Sequence, residues 1–275
     1  RIKAGQLTLG GYQLAGVETS LGWRDNRLTV ERLSFEDFAG SAGTFSAVLE
    51  GSPAAPLGSI TGRLNSASAA GLFDLANQVT GSHALVKRLA ANSYAFDALS
   101  ADIELKLASD TGPELTLNGE AGGSKIRLRA SGTGLMPGGD GPRTLNIEVE
   151  NPEAYRILEQ AGFDVLPLEG EGPASLKLNL SGSATAADLA AEVTFAAGTS
   201  VVSLSGAGLM PAGGPVTGLF SLGAETADIE PFATMFGLSL PQAGAGLPFA
   251  MTASLAMNRD RTLMPGIEGE AAGTG

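Results

Sequence analysis

The alternation that decides the fold reads Leu176-Lys177-Leu178-Asn179-Leu180, with an aliphatic side chain at every second position. Successive side chains of a β-strand point to opposite faces of the sheet, so this stretch separates an apolar face from a polar one. The same period of two recurs upstream, at residues 103–107, 115–117, 126–129 and 145–149. Such alternation is typical of antiparallel strands with one apolar and one solvated face.

The aliphatic residues of these strands are predicted to share one face. They are Ile103, Leu105, Leu107, Leu115, Leu117, Ile126, Leu128, Leu145, Ile147, Val149, Leu176, Leu178 and Leu180. Two interpretations stay open at this point. Either the face belongs to a closed hydrophobic core, or a curved sheet leaves part of it open as a groove that acyl chains line. Alternation assigns side chains to a face but does not show whether that face is covered.

Turn and helix signals divide the strands. Arg24-Asp25-Asn26 separates two apolar stretches and predicts a hairpin near the N-terminus. One helix is predicted to start at Asn151 as N-cap, with Pro152 at its first position, and to end before Gly162. Further short helices are predicted at about 68–79, 82–91 and 231–236.

An internal repeat gives the organisation of the chain. The stretch Ser-Gly-Thr-Gly-Leu-Met-Pro-Gly-Gly at 131–139 recurs at 205–214 as Ser-Gly-Ala-Gly-Leu-Met-Pro-Ala-Gly-Gly. The Gly-x-Gly pair of each copy is predicted to form a turn or bulge between strands. Stacked repeats bury a continuous core between neighbours.

We therefore predict a mainly β fold with a few short helices, in which strand-strand-helix-strand repeats build an elongated, curved antiparallel sheet. An N-terminal hairpin and strand unit is expected at 1–66. Repeats are expected at 67–130, 131–204 and 205–275, of which the last is incomplete, within one continuous structure that is a fragment of a longer protein.

Composition argues against several classes of function. The net charge of -12 repels phosphate backbones, so nucleic acid is not an expected partner. Cysteine is absent, which excludes disulfides, thiolate metal sites and cysteine nucleophiles. His83 is the single histidine. One histidine without cysteine provides too few ligands for a typical zinc site, and a Ser-His-Asp triad would have to be built around this one residue. We expect no enzyme activity, no metal and no cofactor.

Acidic clusters are the nearest approach to catalytic equipment. Glu148, Glu150 and Glu153 form one cluster, and Glu169 and Glu171 form another. A glycosidase-like carboxylate pair is one interpretation of such spacing. Alternation with apolar neighbours favours a solvated strand face or a helix N-terminus instead.

The first 65 residues carry a family resemblance. Its elements are Leu7-Thr8-Leu9-Gly10-Gly11-Tyr12-Gln13-Leu14-Ala15-Gly16-Val17, a polar turn, Arg27-Leu28-Thr29-Val30-Glu31-Arg32-Leu33, and a glycine-containing strand at 40–51. In this order they resemble the AsmA-like proteins of Gram-negative bacteria. The resemblance implies a long periplasmic protein, held in the inner membrane by a segment outside this chain. It also implies a curved β-groove of aliphatic residues along which phospholipids pass towards the outer membrane, with no catalytic residues.

We therefore expect a non-enzymatic segment of a periplasmic envelope protein, with an apolar β-groove for phospholipid transfer between the membranes or for outer-membrane homeostasis. The expected partners are phospholipid acyl chains, neighbouring repeats of the same longer chain, and envelope proteins. The alternative is a structural or protein-interaction module of the envelope with a closed core and no lipid path.

Overall fold

The computed structural model of the protein describes residues 1–9, 12–52, 55–79, 84–135, 139–168, 172–183, 188–209, 216–239, 246–258 and 262–271. The chain forms two compact units, Arg1–Gly139 and Asp140–Gly275. Antiparallel strands dominate both units and the helices are short, which confirms the predicted mainly β fold. The repeat boundaries after residues 66, 130 and 204 stay a prediction.

In the first unit, eight described strands pair antiparallel in chain order. They are β1 (Ile2–Leu9), β2 (Tyr12–Arg24), β3 (Arg27–Phe38), β4 (Ser41–Ser52), β5 (Ala55–Ser66), β6 (Leu99–Leu107), β7 (Glu114–Ala121) and β8 (Ser124–Ser131). Between β5 and β6 lie α1 (Ala70–Val79), α2 (Ala84–Ala91) and a 3-10 helix (Ser93–Phe96). A second 3-10 helix (Thr133–Leu135) follows β8.

The second unit follows the same plan, with seven described strands paired in chain order. Its elements are β9 (Pro142–Asn151), α3 (Ala154–Gln160), β10 (Ala174–Ser183), β11 (Leu189–Ala197), β12 (Ser200–Leu209), β13 (Thr217–Thr226), α4 (Glu230–Met235), β14 (Phe249–Met257) and β15 (Thr262–Ala271). The described α-helices therefore follow β5, β9 and β13, that is, at intervals of four strands. Among the described helices of either unit, none has both the length and the apolar character required to cross a membrane.

The predicted N-terminal hairpin is present as β2 and β3. Asp25 (φ 49°) and Asn26 (φ 60°) connect the two strands with positive φ at both central positions. That geometry matches the right-handed twist of paired strands, and Asp and Asn tolerate it better than other non-glycine residues.

The predicted helices are present with shifted starts. The N-cap of α3 is Glu153, not Asn151 as predicted, because Asn151 still ends β9. The Asn151 side-chain oxygen Oδ1 accepts a hydrogen bond of 2.8 Å from the Glu153 amide, so Asn151 fixes the turn into the helix. Gly162 follows the helix with φ 85°. The other three helices begin at Ala70, at Ala84 and at Glu230; residues 82 and 83 of the predicted second helix lie outside the described residues.

The paired glycines of the internal repeat differ between the copies. Gly132 (φ 121°) leads from β8 into the 3-10 helix, as a predicted turn should. Gly206 and Gly208 lie inside β12, so the prediction of a turn there is wrong. A Cβ at these two glycines would come within 2.3 Å of the Leu219 carbonyl oxygen and 2.0 Å of the Thr217 carbonyl oxygen. Glycine is required there because β13 approaches closely.

Candidate functional site

Strand register arranges the apolar residues of the first unit in rows across the sheet. Directly opposite residues of antiparallel strands point to the same face, so each row lies on one face. Seven of the thirteen predicted residues belong to this unit. The rows across β3 to β8 are Leu33–Phe45–Gly62–Ile103–Leu117–Leu128, Val30–Ala47–Ile60–Leu105–Leu115–Ala130 and Phe35–Gly43–Leu64–Ala101–Gly119–Ile126, and Leu28–Leu49–Gly58–Leu107 runs from β3 to β6.

The second unit contains three corresponding rows, and they bring the other six predicted residues together on β9 and β10. We call the surface formed by these rows in each unit its apolar face. The rows are Val149–Leu176–Phe195–Val202–Ala224–Met251–Gly269, Ile147–Leu178–Val193–Leu204–Leu222–Ala253–Ile267 and Leu145–Leu180–Ala191–Gly206–Phe220–Leu255.

Charged side chains are segregated from these rows. None of the residues in the seven rows carries a charge, whereas the intervening positions place Glu148 opposite Lys177 and Arg63 opposite Asp102 on the other face. Each unit therefore has one charged and polar face and one face built mainly from aliphatic, aromatic and small residues, to which Arg143 at the start of β9 is an exception.

The apolar faces are partly accessible to solvent. Of the thirteen predicted residues, Val149 alone is buried, at 8% exposure, and the other twelve are half-buried. Side chains in a closed core would be buried throughout, since interiors pack to the density of organic crystals. Exposure varies along the rows: Phe220, Ala253 and Leu255 are buried, whereas Ile267 of the middle row is 59% exposed on β15. Contiguous apolar surface of this kind is typical of a binding site.

Sequence reasoning missed much of each apolar face. The rows also contain five large apolar residues that the sequence analysis did not predict, namely Phe45, Val193, Leu204, Phe220 and Leu222. Their strands are rich in glycine, alanine and serine, so the apolar positions alternate with small residues rather than with charges. A signal was present, because every second position of β12 from residue 202 to 206 is either aliphatic or glycine.

Aromatic rings lie over glycines on both apolar faces. A Cβ at Gly62 would come within 2.1 Å of the Phe45 ring, and a Cβ at Gly206 within 2.6 Å of the Phe220 ring. In the first unit Phe45 also stacks on Phe35, with ring centroids 6.0 Å apart. The glycines leave room for rings that cover the exposed backbone, an arrangement known to stabilise sheets.

Helices cover one end of the apolar face in the second unit. Phe195, in the row nearest the helices, contacts Phe232 of α4 edge-to-face, with ring centroids 6.0 Å apart. The Leu166 amide donates a hydrogen bond of 2.8 Å to the Met235 carbonyl, and Met235 and Ile157 are at most 1% exposed. The apolar rows therefore end against a packed cap where β9 and β13 end.

Buried polar side chains fix each helix to the strand before it. At the end of β5, the Ser66 hydroxyl lies 2.6 Å from the Ser68 carbonyl oxygen, just before α1, and 2.9 Å from the Gly40 carbonyl oxygen. At the end of β13, the Thr226 hydroxyl lies 2.6 Å from that of Ser200 and accepts a hydrogen bond from the Asp228 amide. Together with Asn151, these residues place a short polar side chain at every strand end that leads into a helix, where backbone groups need partners.

Ion pairs occupy the polar face of the first unit. Arg63 donates from Nε and Nη2 to both carboxylate oxygens of Asp102, at 2.7 and 2.8 Å. These hydrogen bonds lower the pKa of Asp102 and raise that of Arg63. Arg63 also lines a depression of about 450 Å³ with Glu18, Arg32 and Glu36. Its mixed charges give it no preference for an anion or a cation.

The acidic clusters do not form a metal site in the described structure. Glu148 and Glu150 lie on the polar face of β9, opposite Lys177 and Ser175, and Glu153 occupies the N-cap position of α3 without a capping hydrogen bond from its side chain. Among the described residues, no group of three or more His, Asp and Glu side chains is placed to hold a metal ion. His83, Glu169 and Glu171 lie outside the described residues.

Comparison with known proteins adds no functional assignment. No family model matches the chain, and neither a curated protein nor a solved structure does. The resemblance to AsmA-like proteins therefore stays a prediction, and the apolar faces are the feature from which a function must be argued.

Proposed function

We propose that this chain is a non-enzymatic segment of the Gram-negative cell envelope whose apolar faces bind phospholipid acyl chains. The observation that carries the proposal is the set of uncharged rows, in which twelve of the thirteen sequence-predicted residues are half-buried, while the charged residues of the described strands in the rows' register lie on the opposite face, except for Arg143 at the start of β9. Acyl chains gain free energy by leaving water and need no hydrogen-bond partners. A surface with so few charged or directed polar groups fits them better than it fits a polar metabolite.

The expected binding energy is sufficient for a transfer protein. Covering ten methylene groups contributes about 8 kcal/mol at roughly 0.8 kcal/mol each. Lost motion of lipid and side chains reduces this amount, so affinities in the micromolar range or weaker follow. Such binding is reversible, as transfer between two membranes requires.

The wider role rests on the resemblance of the first 65 residues to AsmA-like proteins. In that role the chain works in the periplasm, and its apolar faces assist phospholipid transfer between the inner and outer membranes or outer-membrane homeostasis. The antiparallel sheet with its recurring helices supports this assignment, since the resemblance implies an aliphatic-lined sheet. The net charge of -12 makes nucleic acid a poor partner.

Lipid extraction and native mass spectrometry of the purified chain test the proposal directly. We expect phospholipid to co-purify, and a fluorescent fatty-acyl probe to bind the delipidated chain and to be displaced by added phospholipid. Lipid-free protein that also ignores the probe would contradict the proposal. A fused reporter that is active only in the periplasm tests the location.

Strand β15 supports a second candidate, a protein-interaction module. Residues 262–270 are all exposed, and Leu263, Met264 and Ile267 are 42, 57 and 59% exposed. An exposed edge strand with apolar side chains can accept a strand from a partner. In that case, the double substitution Leu263→Lys and Met264→Lys would abolish the ability of the gene to complement its own deletion strain. The same variant would bind the acyl probe as the wild type does. If variants of the apolar faces lose complementation and the β15 variant keeps it, the result favours lipid binding.

A further inference from the structure

The depression on the polar face of the first unit has a floor of short side chains, and we call it the polar cup. Its floor is formed by Gly16 on β2, Ser34 on β3, and Ala42 and Thr44 on β4. Ser34 lies directly opposite Thr44, and Ala42 is two residues away on the same face. The volume of about 450 Å³ is within the range of roughly 300–1,000 Å³ that is typical of small-molecule sites.

Longer polar side chains surround this floor. The row of opposite residues across β2 to β5 is Glu18–Ser34–Thr44–Arg63, so two hydroxyl groups lie between a carboxylate and a guanidinium. Arg32 and Glu36 also line the polar cup, two residues before and two residues after Ser34 on β3. Asn65 completes the lining on β5, opposite Ala42.

Irregular pairing of β3 gives the polar cup its shape. The register of β3 with β4 shifts between Val30 and Leu33, where Arg32 lies, and again between Phe35 and Phe38, where Glu36 lies. Bulges of this kind re-aim side chains and are frequent next to active sites. The Glu36 side chain lies over Gly16 (φ 61°), since a Cβ there would come within 2.5 Å of the Glu36 Cγ and Cδ atoms.

The charges at the two ends of the row are compensated from outside the polar cup. Arg1 and Lys3 form ion pairs with Glu18, and Arg63 donates to both carboxylate oxygens of Asp102. A charge that already has an opposite neighbour produces only a weak net field, so a charged ligand gains little from either end. An uncharged polar ligand loses nothing by this compensation.

The remaining groups of the polar cup keep their hydrogen-bonding capacity. Within the described part of the chain, five lining side chains make no hydrogen bond or ion pair with protein groups, namely Arg32, Ser34, Glu36, Thr44 and Asn65. All are exposed except Ser34, which is half-buried. A guanidinium only donates, a carboxylate only accepts, and hydroxyl and amide groups do both. A ligand must therefore offer both donors and acceptors, which every sugar hydroxyl does.

We propose that the polar cup binds a neutral hexose unit of a saccharide, to which Arg32 donates and from which Glu36 accepts hydrogen bonds. The site lies on the face opposite the apolar rows, so the inference is independent of lipid binding. The polar cup is open to solvent, and its affinity for one such unit is in the millimolar range.

The test uses ligand-observed NMR on the full chain with three neutral disaccharides, maltose, cellobiose and lactose. We expect saturation transfer from the wild type to at least one of them. Glu36→Ala should weaken that binding about tenfold, the range of a lost hydrogen bond to a charged group. Glu36→Gln should lose less, because its amide keeps an acceptor oxygen for a sugar hydroxyl.

Two further variants make the result specific. Arg32→Ala should cause a similar loss, and it keeps the test decisive if thermal unfolding shows that Glu36→Ala is misfolded. Glu120→Ala is the matched control, because Glu120 is exposed on β7, opposite Ser100 and Lys125 and outside the polar cup. This control should bind the disaccharide as the wild type does.

Three outcomes overturn the inference. The first is a wild-type chain that binds none of the disaccharides at tens of millimolar. The second is equal disaccharide binding by the wild type, Glu36→Ala and Arg32→Ala, which would place the sugar elsewhere on the chain. The third is binding of the zwitterion glutamine in place of the disaccharides, lost in Glu36→Gln, which would show that the polar cup recognises an ammonium group.

Discussion

Leu178→Asp places a carboxylate in the middle of the apolar face of the second unit and tests whether that face is open. Leu178 is half-buried and lies between Ile147 and Val193 in the central row. Ser181→Asp is the matched control, because it puts the same group on the same strand. Ser181 is exposed on the polar face, opposite the uncharged Thr144.

The structure sets the expected cost of the substitution. Full burial of a leucine side chain contributes about 1.5–3 kcal/mol, so the half-buried Leu178 contributes about 1–2 kcal/mol. On an open face the new carboxylate keeps contact with water, and no large desolvation cost is added. At about 3 °C for each kcal/mol in a chain of this size, Tm should fall by about 3–6 °C. In a closed core, an unpaired buried carboxylate would cost more than about 4 kcal/mol and lower Tm by over 12 °C.

Thermal unfolding of the delipidated variants and titration with a fluorescent acyl probe measure the two effects. We expect Leu178→Asp to stay folded and to bind the probe at least tenfold more weakly. Ser181→Asp should match the wild type in both assays. A large loss of Tm in Leu178→Asp, combined with no probe binding by the wild type, would show a closed core. Wild-type probe affinity in Leu178→Asp would show that lipid binds elsewhere.

Three further predictions test the parts of the structure that hold the apolar faces in place. Asn151→Ala removes the acceptor of the Glu153 amide and should cost about 1 kcal/mol of unfolding free energy, measured by urea denaturation. Gly58→Ala should cost at least about 2 kcal/mol in the same assay, since Gly58 has φ 129° and its Cβ would lie 2.0 Å from a carbonyl oxygen of β4. The pKa of Asp102 is lowered by Arg63, so this pair stabilises the fold above the ordinary Asp pKa and loses its effect as pH falls through the lowered value. Asp102→Asn should therefore reduce the dependence of Tm on pH in the acid range, by a small amount because both groups are exposed.

The strands that sequence analysis found are those in which charge alternates with aliphatic residues. In β10, Lys177 and Asn179 separate three leucines, and the period of two is unambiguous. In β12, serine stands where β10 has charged or amide residues, and glycine stands at two of the remaining positions. The period of two is therefore weak, and the paired glycines suggested a turn. The reason for glycine at this position is a tertiary contact, because the backbone of β13 lies too close for a side chain at Gly206. Contacts of this kind have no local signature in the sequence.

Helix starts were displaced for a related reason. Asn151 and Pro152 form a good helix-start signal, yet Asn151 completes the pairing of β9 with β10 before the chain turns. Strand pairing satisfies its backbone groups, and its side chain is then available to hold the Glu153 amide. The Asn-Pro signal correctly predicted a polar turn before the helix. It did not predict that β9 continues as far as Asn151.

The size of the helices bears on whether the apolar face of the second unit is covered. Helices α3 and α4 contain 7 and 6 residues, and at about 1.5 Å per residue each is roughly 10 Å long. Seven paired strands at a spacing of about 4.8 Å extend over about 29 Å, and three rows spaced by two residues add about 14 Å in the other direction. Two helices of this length that pack where β9 and β13 end reach the row of Phe195 but are too short to extend over the full length of the other two rows, in which Phe220, Ala253 and Leu255 are buried and Leu178 and Leu180 are half-buried. The half-buried state of those leucines agrees with this geometry. Under the function proposed above, a bound molecule would bury these leucines further, and an acyl chain suits this position because it is apolar along its length and needs no hydrogen bonds.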